Sequence, residues 1–347
     1  MTSGDFKETY RDDIKIFQTL FVKFWLSLFI VTMLVFPFIA DRYFIYLANL
    51  SGVAIIGALG MNLLTGYTGQ VSLGHAAFLA IGAYTAAILS FRFGIPFWIL
   101  IFVSGISASI FGLIIGIPSL RLRGLYLVIT TMAFQFVIEH VIFRWESLTR
   151  GDLGIALSVP NIAGFRFDTD RRFYYLMFAM TALAIITMKN ITRTRVGRAF
   201  QAIRDRDIIA ETMGINLSKY KLLAFIGSSF YAGVAGALYA YYMAFISPDH
   251  FSLMVSIQYI AMIIVGGMGS ILGSVLGAVF IVLLPEVLGF LTRGVAQHFP
   301  VFQTGFGDIK NLIYGLIIVC FLIYQPDGLY GYWRRIKTYF KTYPFTY

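Results

Sequence analysis

The side chains best placed for chemistry lie in one glycine-rich stretch, residues 59–84. Ser72 and His75 are three residues apart, so on one helix they would face each other as a nucleophile and a base. No Asp or second catalytic motif accompanies them, and Gln70 stands where a nucleophile elbow requires glycine. The pattern therefore favours polar lining or hydrogen bonding between helices over a serine hydrolase.

Other catalytic and metal-binding patterns are missing from the sequence. It contains no Gly-Lys pair, which excludes a Walker A motif and therefore an ATPase site in this chain. It contains no His-Glu-x-x-His motif, and a single cysteine, Cys320, excludes disulfides and cysteine zinc sites. Because Cys320 lies in an apolar run, we expect it to pack in the core. We predict that the chain is not an enzyme and needs no cofactor or metal.

Composition predicts that membrane helices position these groups. The 347 residues are 59% hydrophobic and only 13% charged, whereas soluble domains carry about a quarter charged residues. Apolar runs recur at about 21–40, 43–64, 71–90, 95–117, 124–143, 173–188, 222–245 and 309–324. A basic chain could bind nucleic acid, but the Lys and Arg residues sort by membrane side, which the positive-inside rule explains better.

The stretch 255–291 decides the topology. It has Glu286 as its only charge and is too long for one upright span, so it is either a tilted span or a hairpin. A hairpin at 266–270 places 18 of the 27 Lys and Arg residues on the cytoplasmic side. We therefore predict an all-α polytopic protein with about ten transmembrane or re-entrant segments and both termini cytoplasmic. Its parts are a cytoplasmic lead of residues 1–20, a single transmembrane domain of 21–330 and a basic, aromatic tail of 331–347.

Two glycine-rich stretches, 59–84 and 266–278, interrupt the predicted spans. Gly269, Gly273 and Gly277 recur every four residues, a spacing that lets helices pack closely. The alternative is that the helices break there and their free backbone ends line a path through the membrane. On that alternative we expect a translocation path formed by Asn62, Thr65, Gln70, Ser72, His75, Gly266, Gly267 and Gly269.

The segment 189–221 is the longest polar stretch between spans. It carries eight Lys or Arg residues against three acids, which is half of the chain's net charge of +10. Apolar residues from Ala199 to Met213 recur at spacings of three and four, which predicts one amphipathic helix, and Gly214 stands where a helix cap is expected. On the other side, 144–172 is the largest loop, and it is either a solvated loop or a surface that docks an external partner.

Transport is the function that these features favour. An ion-coupled transporter would carry charged residues at mid-membrane, and the centres of these spans contain essentially none. A passive channel would have no use for a structured amphipathic loop. The energy for transport must then come from another protein, and 189–221 is the segment best suited to bind that protein.

Six motifs, in this order, resemble one known family. They are GYTGQVSLGHAAFLAIGAY (66–84), PSLRLRGLYLVITTMAF (118–134), GRAFQAIRDRDIIAETMGIN (197–216), KLLAFIGSSFYAGVAGALYA (221–240), VGGMGSILGSVLGA (265–278) and QPDGLYG (325–331). The chain resembles the permease subunits of bacterial ABC importers for branched-chain amino acids. The resemblance covers about 50–329, most of the chain.

The resemblance implies the partners and the coupling site. Expected partners are two ABC ATPase subunits, a second permease subunit of the same family, an external substrate-binding protein and the lipid bilayer of a bacterial or archaeal inner membrane. Residues 198–216 would be the coupling loop that sits in a cleft of the ATPase. We expect the coupling contacts from Arg198, Phe200, Ile203, Arg204, Asp205, Ala210, Glu211 and Gly214.

Arg150 is a departure from the expected pattern, because a small residue is expected there. Its charge bears on the identity of the ligand, and importers for urea and short amides use similar permeases. The expected function is inward transport of branched-chain amino acids. The alternatives are transport of urea, an amide or another amino acid, and a passive solute channel.

Overall fold

The computed structural model describes residues 20–122, 124–162, 165–296, 306–325 and 327–342. These residues form almost entirely helix, as the apolar runs predict. The long helices are α1 (Leu20–Ile39), α2 (Arg42–Met61), α3 (His75–Phe93), α4 (Phe97–Ser119), α5 (Leu125–Arg144), α7 (Asp170–Arg193), α10 (Leu217–Met243), α11 (Leu253–Gly266), α12 (Ile271–Ala296), α13 (Phe306–Tyr324) and α14 (Gly328–Thr342).

Shorter elements join the long helices. A π-helical turn, Asn62–Gly66, ends α2, and 3-10 turns form at Gly151–Leu153 and Pro248–Phe251. The short helices are α6 (Glu146–Thr149), α8 (Arg195–Asp205) and α9 (Asp207–Thr212). Two antiparallel ribbons pair β1 (Ile155–Ala156) with β4 (Phe245–Ile246), and β2 (Asn161–Ile162) with β3 (Phe165–Arg166).

The membrane segments agree with the expected number. Among the described residues, eight helices are long and apolar enough to cross a membrane, and 23–39 and 312–321 are shorter apolar helices. The fold is therefore the all-α polytopic one that the composition predicts. We call the end of the bundle with 189–221 the basic end, and the end with 144–172 the opposite end.

Helix α2 lies at the centre of the bundle. It packs against α7, α10, α11 and α12, and from Ser51 to Met61 every residue is buried. Glycines allow the neighbouring helices to approach closely: a Cβ on Gly82 of α3 would overlap the backbone of Gly233 in α10, and one on Gly236 would overlap that of Leu79. Small residues at helix contacts are how membrane helices gain packing where lipid gives no hydrophobic drive.

The stretch 255–291 is a hairpin, as the charge distribution predicts. Helix α11 ends at Gly266 and α12 begins at Ile271. Gly273 and Gly277 of α12 lie directly against the backbone of Gly266 and of Met262 in α11. The same glycines therefore both break the chain and pack the two arms closely, and a path lined by the free backbone ends stays a prediction. Glu286 accepts a hydrogen bond from Tyr43 at the start of α2, far from the centre of the membrane.

The expectation for Cys320 is wrong, because its side chain is exposed on α13 instead of packed in the core. The apolar run around it forms a helix at the edge of the bundle, and the side of the helix that carries Cys320 has no protein neighbour among the described residues.

Charged side chains pair at the opposite end. Arg42 donates to Asp170 at 2.8 Å and Arg172 donates to Asp168 at 2.9 Å. The Thr169 hydroxyl also donates to Asp168 at 3.1 Å. The hydrogen bond from Thr169 and the charge of Arg172 lower the pKa of the Asp168 carboxyl. This loop is thus partly ordered by its own ion pairs, and its role in docking an external partner stays a prediction.

Candidate functional site

The segment 189–221 forms two short helices instead of the single amphipathic helix expected. Helix α8 ends at Asp205 and α9 starts at Asp207, because Arg206 is extended with φ −157° and ψ 104°. Helix α7 passes into α8 through Thr194, which is also extended. The apolar spacing continues across the break, and for this reason the sequence pattern alone does not show it.

The break at Arg206 divides the apolar stripe between the bundle and its surface. Phe200 and Ile203 of α8 are buried, and Phe200 packs edge-on against the Tyr220 ring of α10 with centroids 6.4 Å apart. In α9 only Ala210 is buried. Exposed apolar side chains follow on the outside of α9 and just beyond it: Ile208 (68% exposed), Ile209 (50%) and Met213 (79%). Helix α8 is therefore fixed against the bundle, whereas α9 and the residue after it have an exposed apolar surface.

The ends of α9 and α10 are fixed by local hydrogen bonds. Gly214 has φ +82°, and Ile215 N donates to Ala210 O at 3.0 Å, which is the helix cap that the sequence predicts. Asn216 caps α10 by accepting from Lys219 N at 3.0 Å. The remaining predicted coupling residues, Arg198, Arg204, Asp205 and Glu211, have exposed side chains. The eight predicted residues therefore lie in helices α8 and α9 and in the cap that follows α9, a region that we call the joint. The apolar side chains among these eight face the bundle, and the charged side chains are exposed.

A cavity of about 430 Å³ opens at the basic end beside this joint. Its lining includes Thr68, Gln70, Leu122, Leu127, Ile203, Arg204 and Lys221. The Gln70 amide lies 3.5 Å from Lys221 O, and Lys221 Nζ lies 3.8 Å from the Asp207 carboxylate. The joint thus lines one part of this cavity, and the non-helical segment between α2 and α3 lines another part.

Arg204 reaches from the joint to the break between α11 and α12. Gly269 has φ +76°, and a Cβ built on it would overlap Arg204 Nη1. The same Cβ would lie 3.1 Å from Gly66 O, at the end of the π-helical turn. Only glycine allows this φ and this closeness together. The guanidinium of the joint therefore lies directly on the turn that separates two membrane helices.

Asn62 connects that turn to α2. Its Oδ1 accepts from Gly269 N at 2.8 Å, and its Nδ2 donates to Ser270 O at 3.0 Å. The side chain is 1% exposed, so these bonds are made away from water. One amide group thus bonds to two consecutive backbone groups at the break, and Ser270 O also accepts from Ser274 N at 3.0 Å. Gly266 and Gly267 lie in the same junction, where Gly267 has φ +116°.

The other predicted path residues are mostly held inside the protein. Thr65 donates to Gln70 O at 3.0 Å, and Ser72 Oγ accepts from Gly74 N at 3.3 Å. Ser72 precedes α3 and does not share a helix with His75, whose Nε2 instead lies 2.9 Å from Gly57 O of α2. The hydrogen-bonding alternative is confirmed for His75. Of the eight predicted path residues, Gln70 alone is among those that line the cavity, and the path stays a prediction.

A second cavity, of about 220 Å³, lies among α2, α3, α10, α11 and α12. Aliphatic side chains dominate its lining, including Val53, Leu79, Val255, Met262 and Val282. Its polar groups come from Tyr239, His250, Gln258 and Tyr259, and the buried His250 Nδ1 has no hydrogen-bond partner. No pattern in the sequence marks these residues, because each is a lone polar or aromatic group beside an apolar run.

The depth of the 3-10 turn explains how His250 enters the bundle. Gln135, in the middle of α5, donates to Phe251 O at 2.6 Å. The turn Pro248–Phe251 therefore dips into the membrane region before α11 begins. Among the described residues, no group of three or more His, Cys, Asp or Glu side chains could hold a metal ion. The residues around the two cavities hold the helices together by packing and hydrogen bonding, and they connect segments that can move together.

Comparisons with known proteins agree with this architecture. The family model for the permease component of branched-chain amino acid transport systems matches residues 43–322. The chain is 30% identical over 331 residues to the high-affinity branched-chain amino acid transport permease LivM of Escherichia coli (strain K12), covering 87% of this chain and 74% of the relative. It is 29% identical to LivM of Salmonella typhimurium (88% and 74%) and 24% identical to the permease BraD of Pseudomonas aeruginosa (79% and 90%).

No solved structure matches the chain significantly. The family model nevertheless spans the bundle from the first turn of α2 to the end of α13, and so includes both helix breaks and the joint. The relatives are transport permeases, and the eight apolar helices make this chain a multi-pass protein of the inner membrane. The chain belongs to the family of permease components of branched-chain amino acid transport systems.

Proposed function

We propose that this chain is the membrane subunit of an ATP-driven importer that carries branched-chain amino acids inward. It would work with separate ATPase subunits, a second permease subunit and an external substrate-binding protein. The observation that carries the proposal is the joint at 195–214, which lies outside the spans, is anchored by Phe200 and Ile203, and leaves Ile208, Ile209 and Met213 exposed. An apolar surface rimmed by charges is typical of a protein interface.

The route for movement runs through Arg204. A rigid shift of α9 and α8 would displace the guanidinium that lies on Gly269. Because Asn62 ties that turn to α2, the movement would reach the break between α11 and α12 and the end of α2 together. Discontinuous helices of this kind are where transporters rock between outward-open and inward-open states.

The second cavity supports an aliphatic substrate over urea. Its wall is mostly Val, Leu, Ala, Met and Phe, with few polar groups. Such a lining stabilises a branched hydrocarbon side chain by removing it from water, at about 25 cal/mol per Å² of apolar surface. Urea has no apolar surface to bury, so it would gain nothing from this wall.

Uptake measurements test the proposal. The chain is reconstituted in liposomes with its co-purified ATPase subunits, second permease and binding protein, and uptake of labelled leucine and labelled urea is compared with ATP inside and without ATP. We expect leucine uptake only with ATP, and none when the chain is reconstituted alone. Solute flux through the isolated chain without ATP would establish a passive channel, and urea uptake without leucine uptake would overturn the proposed substrate.

A further inference from the structure

Helix α14 is the part of the bundle that the proposed transport function leaves unused. Among its described side chains, only those of the first turn pack on the described part of the bundle: Leu329 contacts the core, Gly331 is buried, and Gly328 lies against the backbone of Gly266 and Gly267. Every side chain from Tyr332 to Tyr339 is exposed. A helix of fifteen residues that is anchored by one turn needs another surface to hold the rest of it.

The two sides of α14 differ in chemistry. Tyr332, Trp333 and Ile336 lie on one side and are each about half exposed, at 49%, 52% and 51%. They continue the side on which Leu329 packs, because positions three, four and seven residues apart share a helix face. Arg334 and Lys337 lie on the other side. Between Gly328 and Thr342 there are four Lys or Arg residues and no Asp or Glu.

The position of α14 indicates what covers the apolar side. It starts a few residues after Tyr324, where the apolar helix α13 ends. Along α13 one row of apolar side chains is exposed at spacings of three and four: Leu312, Leu316, Val319 and Ile323. That row runs to the last turn of α13, so α14 begins close to the end of an apolar span, where lipid headgroups are expected.

The charged side chains of α14 determine which lipids this helix binds. The Arg334 guanidinium lies 3.6 Å from Asp327, and the Arg335 guanidinium lies over the Tyr332 ring at 6.0 Å from its centroid. Arg335 thus lies beside an aromatic side chain and Arg334 beside Asp327, both near the start of the helix, with Lys337 one turn further. An amphipathic helix with Trp and Tyr on one side and cations on the other binds in the plane of an anionic membrane surface.

We propose that α14 lies on the membrane surface at the basic end and binds anionic phospholipid headgroups through Arg334, Arg335 and Lys337. Tyr332, Trp333 and Ile336 insert between the headgroups and the acyl chains. The helix then holds the Gly266–Gly269 turn from the lipid side, through the contact of Tyr330 and Asp327 with Gly267. This inference needs no assumption about the transported solute.

Fluorescence quenching by brominated lipids tests it. The full chain contains four tryptophans, so replacing Trp25, Trp98 and Trp145 with Phe leaves Trp333 as the single reporter. The variant is reconstituted in bilayers of phosphatidylcholine and phosphatidylglycerol in which one or the other lipid is brominated. We expect Trp333 to be quenched, and about twofold more by the brominated phosphatidylglycerol than by the brominated phosphatidylcholine. Neutralising the cations together (R334Q, R335Q and K337Q) should abolish that preference.

A matched reporter controls for bulk lipid effects. A variant that keeps only Trp25, on α1 and 53% exposed, should be quenched equally by both lipids and should not respond to the neutralised cations. Absence of Trp333 quenching would overturn the proposal and show that a protein surface or water covers this side. Equal quenching by both lipids would overturn the anionic preference.

Discussion

Asn62 bonds to two consecutive residues of the turn between α11 and α12, although it lies more than 200 residues away in the chain. Its side-chain oxygen accepts from Gly269 N at 2.8 Å and its amide nitrogen donates to Ser270 O at 3.0 Å. The first of these bonds supplies an acceptor for Gly269 N, whereas Ser270 O also accepts the first helix bond of α12, from Ser274 N at 3.0 Å. Two helix breaks, one after α2 and one before α12, therefore stabilise each other.

Replacing Asn62 with Ala should destabilise the protein. The change leaves the half-buried Gly269 N–H without its partner, at about 1–3 kcal/mol, whereas the Ser270 carbonyl keeps its bond from Ser274 N at 3.0 Å. Thermal unfolding in detergent measures the loss. Ser51→Ala is the control, because Ser51 is also buried on α2 but bonds only to Leu47 O of its own helix. A melting temperature for N62A equal to that of S51A would contradict the role given to Asn62.

Replacing Gly269 with Ala should weaken transport more than its cost in folding explains. A residue with a Cβ at φ +76° costs about 1–2 kcal/mol, and the added methyl displaces the Arg204 guanidinium from the turn. Leucine uptake per folded molecule should therefore fall several-fold, and R204A should reproduce the fall. Gly315→Ala, where a Cβ meets no atom within 4 Å, is the control and should leave uptake unchanged. Normal uptake by both G269A and R204A would exclude this route.

The double substitution of Ile209 and Met213 with Ser should separate the chain from its ATPase subunits. Both side chains are exposed, so folding should change by less than about 0.5 kcal/mol. Their loss removes apolar surface from the proposed interface, and we expect less ATPase to co-purify and less leucine to enter. Ser218→Ala, at an exposed site on the same end, is the control. If the double variant retains its ATPase, α9 is not the docking surface.

Filling the second cavity should block leucine. Val255 lines it, whereas the adjacent Met254 is 61% exposed and points away. Val255→Phe should lower leucine uptake at unchanged protein level, because the added ring occupies the space that an aliphatic side chain would enter. Met254→Phe adds a ring outside the cavity and should have no effect. Equal uptake by the two variants would remove this cavity from the substrate path.

Cysteine labelling in intact cells should place the basic end in the cytoplasm. With Cys320 replaced by Ser, an impermeant maleimide should label Leu153→Cys at the opposite end, where the side chain is 84% exposed. It should not label Lys337→Cys on α14 until the cells are broken. Labelling of Lys337→Cys in intact cells would reverse the topology that the positive-inside rule predicts.

The sequence determined the elements of this protein because membranes impose strong local rules. Each apolar run became a helix within a few residues of its expected bounds, since a backbone in lipid must satisfy its own hydrogen bonds. The hairpin at 266–270 followed from counting cations on the two sides, and the Gly214 cap followed from its position after an apolar stripe. These inferences need only composition, spacing and charge.

Tertiary structure decided which residues meet. The bend at Arg206 splits a stripe that is continuous in the sequence, because packing of Phe200 against Tyr220 fixes α8 while α9 remains outside. His250 enters a cavity since Gln135 holds the turn at Phe251 inside the bundle. Asn62 and Arg204 come together at Gly269 from distant segments of the chain. Gly269 lies in a turn and not in a helix, so its backbone is open to contacts from other segments. Local patterns in the sequence contain no record of such long-range contacts.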